Sequence, residues 1–254
     1  MSGPSTTSQL RTSDGVALLA RLWPATAAPT RGAVVLVHGF SAGKDEPSVV
    51  AVAQRLAALG FDVVGYDGRG HGGSGGRCTL GDRERHDVAA AVEAARARAS
   101  RVVLVGASMG AIAVLRHAAA DPDVSGVVAV SCPARWRLPR TARSLLAAGL
   151  TQTRPGRWLA ARHLDVRLAK GWSRPEPPVA LAARLAVPLA LVHGAQDRFI
   201  PPAEARVLAR AAGRPCRLAV VPGMGHAFEP LALGPIADAV EWVVAGVDRL
   251  APAV

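Results

Sequence analysis

Cysteine, aromatic residues and acidic charge are all scarce in this sequence. Cys78, Cys132 and Cys216 are the only cysteines, far apart and with no CxxC pair. That spacing excludes a disulfide framework and points to reduced thiols in a cytoplasmic protein. One tyrosine, four phenylalanines and five tryptophans are only 4% of the 254 residues, so aliphatic side chains must supply the core. No apolar run reaches the roughly 18 residues that span a bilayer. The opening stretch MSGPSTTSQLRTSDG has no apolar centre and no cleavage pattern, so no secretory signal is expected. Charged residues are 19% of the chain while half is hydrophobic, which excludes disordered and acidic-tail proteins. The expectation is a soluble intracellular globule of one large domain, or two small ones, as a monomer or homodimer.

The shortage of acids is local. Thirty Lys and Arg against nineteen Asp and Glu give a formal charge of +11. Residues 132–186 hold eleven of the cations against Asp165 and Glu176 alone, so most of the excess sits in one fifth of the chain. A basic excess raises nucleic acid as a partner. The segment has no zinc spacing, no recognition-helix signature and no aromatic-basic RNA motif, so no nucleic acid is expected.

Short β-branched runs bounded by Gly or Asp recur at 33–39, 61–67, 101–107, 125–131, 188–194 and 216–223, as buried parallel strands do. Helix-like segments fall between or after them, at 47–59, 82–98, 109–120, 202–212 and 235–249. This alternation predicts an α/β fold with a doubly wound, mostly parallel sheet. The stretch VALLARLW (16–23) adds an antiparallel edge strand or hairpin. The alternation breaks once, between Ser131 and Pro188. We read 132–186 as a helical cap inserted after the sixth strand, with 1–131 and 187–254 forming the core domain. The cap holds Trp136, Trp158 and Trp172. Trp136, Leu138 and Trp158 are candidates to line an apolar substrate pocket, with ordinary packing inside the cap as the equal alternative.

The chemistry centres on Gly106-Ala107-Ser108-Met109-Gly110, between the strand VVLV and the helix MGAIAVLRHAAA. G-x-S-x-G in that context is a strand-to-helix turn so sharp that a side chain two residues either side of the serine would clash. The turn lifts the hydroxyl above the sheet at a helix N-terminus, which favours developing negative charge. Ser108 is the candidate nucleophile. A hydroxyl needs a neighbouring base, and His226, in the Gly-rich loop PGMGHAF after the last strand, is placed to serve. The base needs an acid to hold its tautomer. Asp197 follows the strand LALVHG, whereas the preceding strand ends in Val130-Ser131-Cys132-Pro133 without a carboxylate; Glu229, near His226, is the next acid to consider. The glycines at 68–75 formally match a dinucleotide fingerprint, but the next helix starts too late to hold a pyrophosphate. No His or Cys pair has metal-ligand spacing, and no cofactor is expected.

The segments VLVHGFSAGKDE (35–46), YDGRGHGGSGG (66–76), GASMG (106–110), LVHGAQDRFIP (191–201) and VVPGMGHAFEP (220–230) together resemble the α/β-hydrolases. Within them the chain is similar to serine esterases and monoacylglycerol-lipase-like hydrolases, from about residue 14 to about residue 250. The resemblance implies the α/β-hydrolase fold and the order Ser108, Asp197, His226 for a catalytic triad. It also implies an oxyanion hole from the N–H groups of Met109 and Phe40, with His38 a structural residue. The expected activity is a serine hydrolase cleaving short- to medium-chain or monoacylglycerol-like carboxylic esters. A thioesterase, a peptidase, a carbon–carbon hydrolase and a non-catalytic ligand-binding protein of this fold remain the alternatives, because fold does not choose among them.

Overall fold

The computed structural model describes residues 5–136, 149, 151–171, 173, 175–213 and 215–250. Eight strands form one sheet in the order β1-β2-β4-β3-β5-β6-β7-β8. They are β1 (Thr6–Arg11), β2 (Ala17–Trp23), β3 (Gly32–Val37), β4 (Phe61–Tyr66), β5 (Val102–Ala107), β6 (Gly126–Val130), β7 (Leu189–Gly194) and β8 (Cys216–Val221). From β4 to β8 all neighbours are parallel, while β1 and β2 pair antiparallel with each other and β2 antiparallel with β4. Every residue of β3, β4, β5, β6 and β7 is buried, as covering on both faces requires. The amino-terminal segment is a hairpin. Its outer strand, TTSQLR, is mostly exposed and lacks the apolar signature that marks the other strands.

Helices cover both faces. One face carries α1 (Pro47–Ala58) and the final helix α7 (Leu233–Leu250); the other carries α2 (Glu84–Arg96), α3 (Met109–Ala118) and α6 (Ala203–Ala211). In α1 the buried Val49, Val52, Ala53 and Leu56 recur at helical spacing, so one stripe meets the sheet. In α7 the buried Ile236, Ala239, Val240 and Val243 do the same. Each buried valine contributes roughly 1.5 kcal/mol or more of hydrophobic stabilisation. The two resulting apolar clusters, one on each face, are mainly aliphatic, with Tyr66, Trp23, Phe61 and Phe228 the aromatic members.

The segment after β6 is anchored at several points. Its helix α4 (Arg154–His163) buries only Ala160. Beyond it, 165–169 runs between two loops by backbone hydrogen bonds: Arg167 N–H to Gly70 O (2.7 Å), Cys78 N–H to Arg167 O (2.8 Å) and Ala169 N–H to Cys78 O (2.9 Å). A short helix, α5 (Pro178–Ala183), packs against α3 and α6, and its Leu181 and Ala182 belong to the main apolar cluster. Among the described residues no helix is long and apolar enough to cross a membrane.

Because Leu181 is 1% exposed, Leu181→Ala should lower unfolding stability by about 2–5 kcal/mol in denaturant titration. A loss below about 1 kcal/mol would show that α5 is not part of the cooperative core.

Candidate active site

The candidate nucleophile is held by a backbone constraint. β5 ends at Ala107 and α3 begins at Met109, so Ser108 alone makes the turn, with φ 52° and ψ −113°. Such a dihedral costs a non-glycine residue about 1–3 kcal/mol and persists only where its surroundings enforce it. The flanking glycines explain how. A Cβ on Gly106 would lie 2.5 Å from Gly110 O, and one on Gly110 would lie 2.5 Å from Val37 O and 2.6 Å from His38 O. The helix start therefore sits directly against the end of β3.

That packing brings the loop after β3 to the serine, where a Cβ on Gly39 would lie 3.4 Å from Ser108 Cβ. The loop carries Phe40, the expected second oxyanion donor, next to Met109 at the first position of α3. His38 anchors it from within. Its Nε2 accepts from Gly68 N–H at 2.9 Å, so Nδ1 carries the proton and donates to Gly39 O at 2.7 Å. Burial and the neighbouring His71 lower the His38 pKa to about 4, which keeps the ring neutral and structural.

The acid and base come from the loops after β7 and β8. His226 Nδ1 lies 2.7 Å from Asp197 Oδ2. Asp197 Oδ1 accepts from the amides of Phe199 (2.8 Å) and Ile200 (2.9 Å). Burial raises the Asp197 pKa, but the His226 hydrogen bond and these amides outweigh it and hold the carboxyl below its ordinary range. An ionised Asp197 places the imidazole proton on Nδ1 and leaves Nε2 as a base. The Phe199 ring lies 5.1 Å from the His226 ring, centroid to centroid.

Sequence reasoning did not find the groups that hold the base. Glu229 Oε2 accepts from Gly225 N–H (2.7 Å) and its Oε1 from His226 N–H (3.1 Å), so this second carboxylate binds the loop backbone rather than the imidazole. Ser131 Oγ, fully buried at the end of β6, accepts from Ala227 N–H at 3.0 Å. Ala227 itself has φ 62°. His193 Nε2 donates to Ile200 O at 2.8 Å and lies 3.5 Å from Asp197 Oδ2. The acidic residue three positions after His226 was the one visible signal.

The expected pocket residues are scattered. Trp136 is half-buried, packs against the main apolar cluster and donates its indole N–H to Pro175 O at 2.6 Å. Trp158 is 62% exposed on α4, while Leu138 and Trp172 lie outside the described residues. The apolar residues gathered around Met109, which follows Ser108, are a different set. Met109, Cys78, Ala160, Val166 and Leu168 form one buried cluster, with Phe40 and Leu80 packed against it.

Three comparisons with known proteins bear on the family and the fold. The family model described as serine aminopeptidase, S33, matches residues 28–173. A monoacylglycerol lipase of Mycolicibacterium smegmatis is 30% identical over 274 aligned positions, covering 91% of this chain and 94% of that protein. The esterase Pf2001 of Pyrococcus furiosus superposes with a TM-score of 0.74 at 23% identity, covering 96% of this chain and 91% of that one. Est1E of Butyrivibrio proteoclasticus, solved with ferulic acid bound, gives a TM-score of 0.69 at 20% identity, covering 95% and 99%. The two structural likenesses establish the α/β-hydrolase fold.

A histidine held neutral by burial binds a proton only when the chain unfolds, so stability must fall as pH drops from about 6.5 toward 4. His38→Gln should flatten that dependence by about one proton, or roughly 1.4 kcal/mol per pH unit, in denaturant titrations across this window. An unchanged slope would mean that His38 does not titrate as its burial requires.

Proposed function

As the chain belongs to the α/β-hydrolase family that the serine aminopeptidase, S33, model describes, we propose that it is a serine hydrolase of carboxylic esters. The observation that carries this reading is the Asp197–His226 pair at 2.7 Å on the same edge of the sheet as the strained Ser108 turn. Ser108 Oγ attacks the ester carbonyl while His226 Nε2 takes its proton and Asp197 holds the Nδ1–H tautomer. The N–H groups of Phe40 and Met109 hold the tetrahedral oxyanion. His226 then protonates the leaving alcohol, and an acyl-enzyme remains on Ser108. Water attacks that ester by the reverse proton path and releases the acid.

The chemistry of the cap supports an ester over a peptide N-terminus. An aminopeptidase must hold a substrate ammonium, which in a partly buried site calls for a carboxylate. Between 132 and 186 the only acids are Asp165 and Glu176. Glu176 already pairs with Arg184 at 2.7 Å, and Asp165 is exposed. The apolar set of Phe40, Leu80, Met109, Val166 and Leu168 instead suits a short to medium acyl chain, while the exposed Phe199 ring lies 5.1 Å from the His226 ring. The monoacylglycerol lipase relative fits the same substrate class.

Treatment with a fluorophosphonate followed by intact-mass measurement should show one adduct, on Ser108. Ser108→Ala should abolish both labelling and turnover of chromogenic esters, and full activity in that variant would overturn the proposal. Asp197→Asn should fold normally and lose about 10⁴ in kcat through the wrong imidazole tautomer. A loss below tenfold would assign the role to another carboxylate. Across an acyl-chain series, kcat/KM should peak at short to medium length, and a peak at long chains would refute the pocket as drawn.

A further inference from the structure

Asp67 lies at the end of β4, outside the triad, yet its carboxylate grips the loop that carries Phe40. Its Oδ1 accepts from Lys44 N–H at 2.8 Å, and its Oδ2 faces Lys44 Nζ at 3.2 Å. Both side chains are nine-tenths or more buried. Asp67 is itself fixed, since its N–H donates to Leu19 O (2.9 Å) and its carbonyl accepts from Ser74 Oγ (2.6 Å). The room it occupies is specific. A Cβ on Gly43 would lie 3.0 Å from Asp67 Oδ1, and one on Gly72 would lie 2.8 Å from Oδ2.

The loop between these anchors needs holding. Ser41, directly after Phe40, has φ 62°, a left-handed conformation that a serine does not adopt without constraint. Only one backbone hydrogen bond, Ala42 N–H to Gly39 O at 3.4 Å, closes the turn from within. The loop is therefore pinned at its two ends by the residues leaving β4: His38 through Gly68, and Lys44 through Asp67. Lys44 is one of only two lysines among thirty cations in a chain otherwise committed to arginine. A compact ammonium on a flexible stem suits this position, where Nζ lies between Asp67 and the more exposed Asp45 at 2.6 Å.

We propose that Asp67, acting through Lys44, is a positioning residue for the oxyanion hole, holding the Phe40 N–H where charge develops on the substrate oxygen. The inference rests on the serine-hydrolase reading and on Phe40 as a donor. An oxyanion donor contributes only when its N–H is preorganised, and a misplacement of about 1 Å can remove a hundredfold in rate. Loss of the tie therefore reduces transition-state stabilisation more than substrate binding.

The test compares the full-length protein with Asp67→Asn and Lys44→Met, using active sites counted by fluorophosphonate titration. A trifluoromethyl ketone serves as the oxyanion probe: Ser108 Oγ adds to its carbonyl carbon, the hydroxyl proton passes to His226, and the ketone oxygen becomes the anion. Per titrated site, Asp67→Asn should lose ten- to a hundredfold in kcat with KM within about twofold. Its affinity for the trifluoromethyl ketone should fall by the same factor as kcat/KM, while affinity for the matching methyl ketone stays unchanged. Lys44→Met, which keeps the bond from the Lys44 amide to Asp67, should show the same pattern more weakly. A purely structural role would lower the number of titratable sites and leave per-site kcat and ketone affinity at wild-type values, and that result overturns the inference. If the wild-type protein binds the trifluoromethyl ketone no tighter than the methyl ketone, the oxyanion reading falls, and this inference with it.

Discussion

The turn at Ser108 is the constraint on which the rest of the site depends. Gly106 and Gly110 have no room for a Cβ because the start of α3 is pressed against the carbonyls of Val37 and His38. All ten residues of α3 are buried, so the helix is fixed in the core and its first turn cannot drift. The nucleophile is thereby placed relative to β3 by backbone contact rather than by side-chain packing. The loop after β3 then passes beside Ser108, where a Cβ on Gly39 would lie 3.4 Å from Ser108 Cβ, and this is why Phe40 is the candidate donor in the proposed mechanism. Strain at one residue and glycine at three others are parts of a single fit.

The acid and base face a different physical problem. They ride on loops, and loops leave backbone amides without strand or helix partners. The structure meets this with side-chain acceptors. Asp197 takes the amides of residues 199 and 200, Glu229 those of 225 and 226, and Ser131 that of 227. Each bond satisfies a donor and at the same time removes a degree of freedom from the loop. The carboxylate of Asp197 thus has two functions at once: one oxygen orders its own turn and the other orients the imidazole. Because the same amides that stiffen the turn also favour the ionised carboxylate, geometry and charge state are set together.

These two problems also explain what could be read from the sequence. The sheet and the serine turn depend on local rules, namely apolar runs of strand length and glycine at fixed offsets, so VVLVGASMG announces both. Asp197 and His226 could be picked out as candidates because each follows a predicted strand, and the structure brings their side chains to 2.7 Å. Ser131 was not: its partner Ala227 is 96 residues away, and a serine at a strand end carries no mark of what it will meet. Asp67 and Lys44 are equally silent, since their meeting depends on β3 and β4 lying side by side in the sheet. The outer strand β1 was ambiguous because an exposed edge strand needs no apolar alternation. The run 165–169 escaped notice because its pairing is made by backbone groups on two loops, and only Val166 and Leu168 face inward.

Two arginines of the basic 132–186 segment have clear partners within the fold. Arg167 spends its guanidinium on the carbonyls of Gly72 and Ser74, and Arg184 pairs with Glu176. From the core beneath, Arg116 reaches up to Glu176 O at 2.8 Å. Arg167 and Arg116 therefore tie backbone carbonyls together, a task for which a planar five-donor group is suited and a carboxylate is not. Neither acid of the segment is buried: Asp165 is exposed, and the half-buried Glu176 is taken up by Arg184, so 132–186 offers no enclosed carboxylate that could hold an amine.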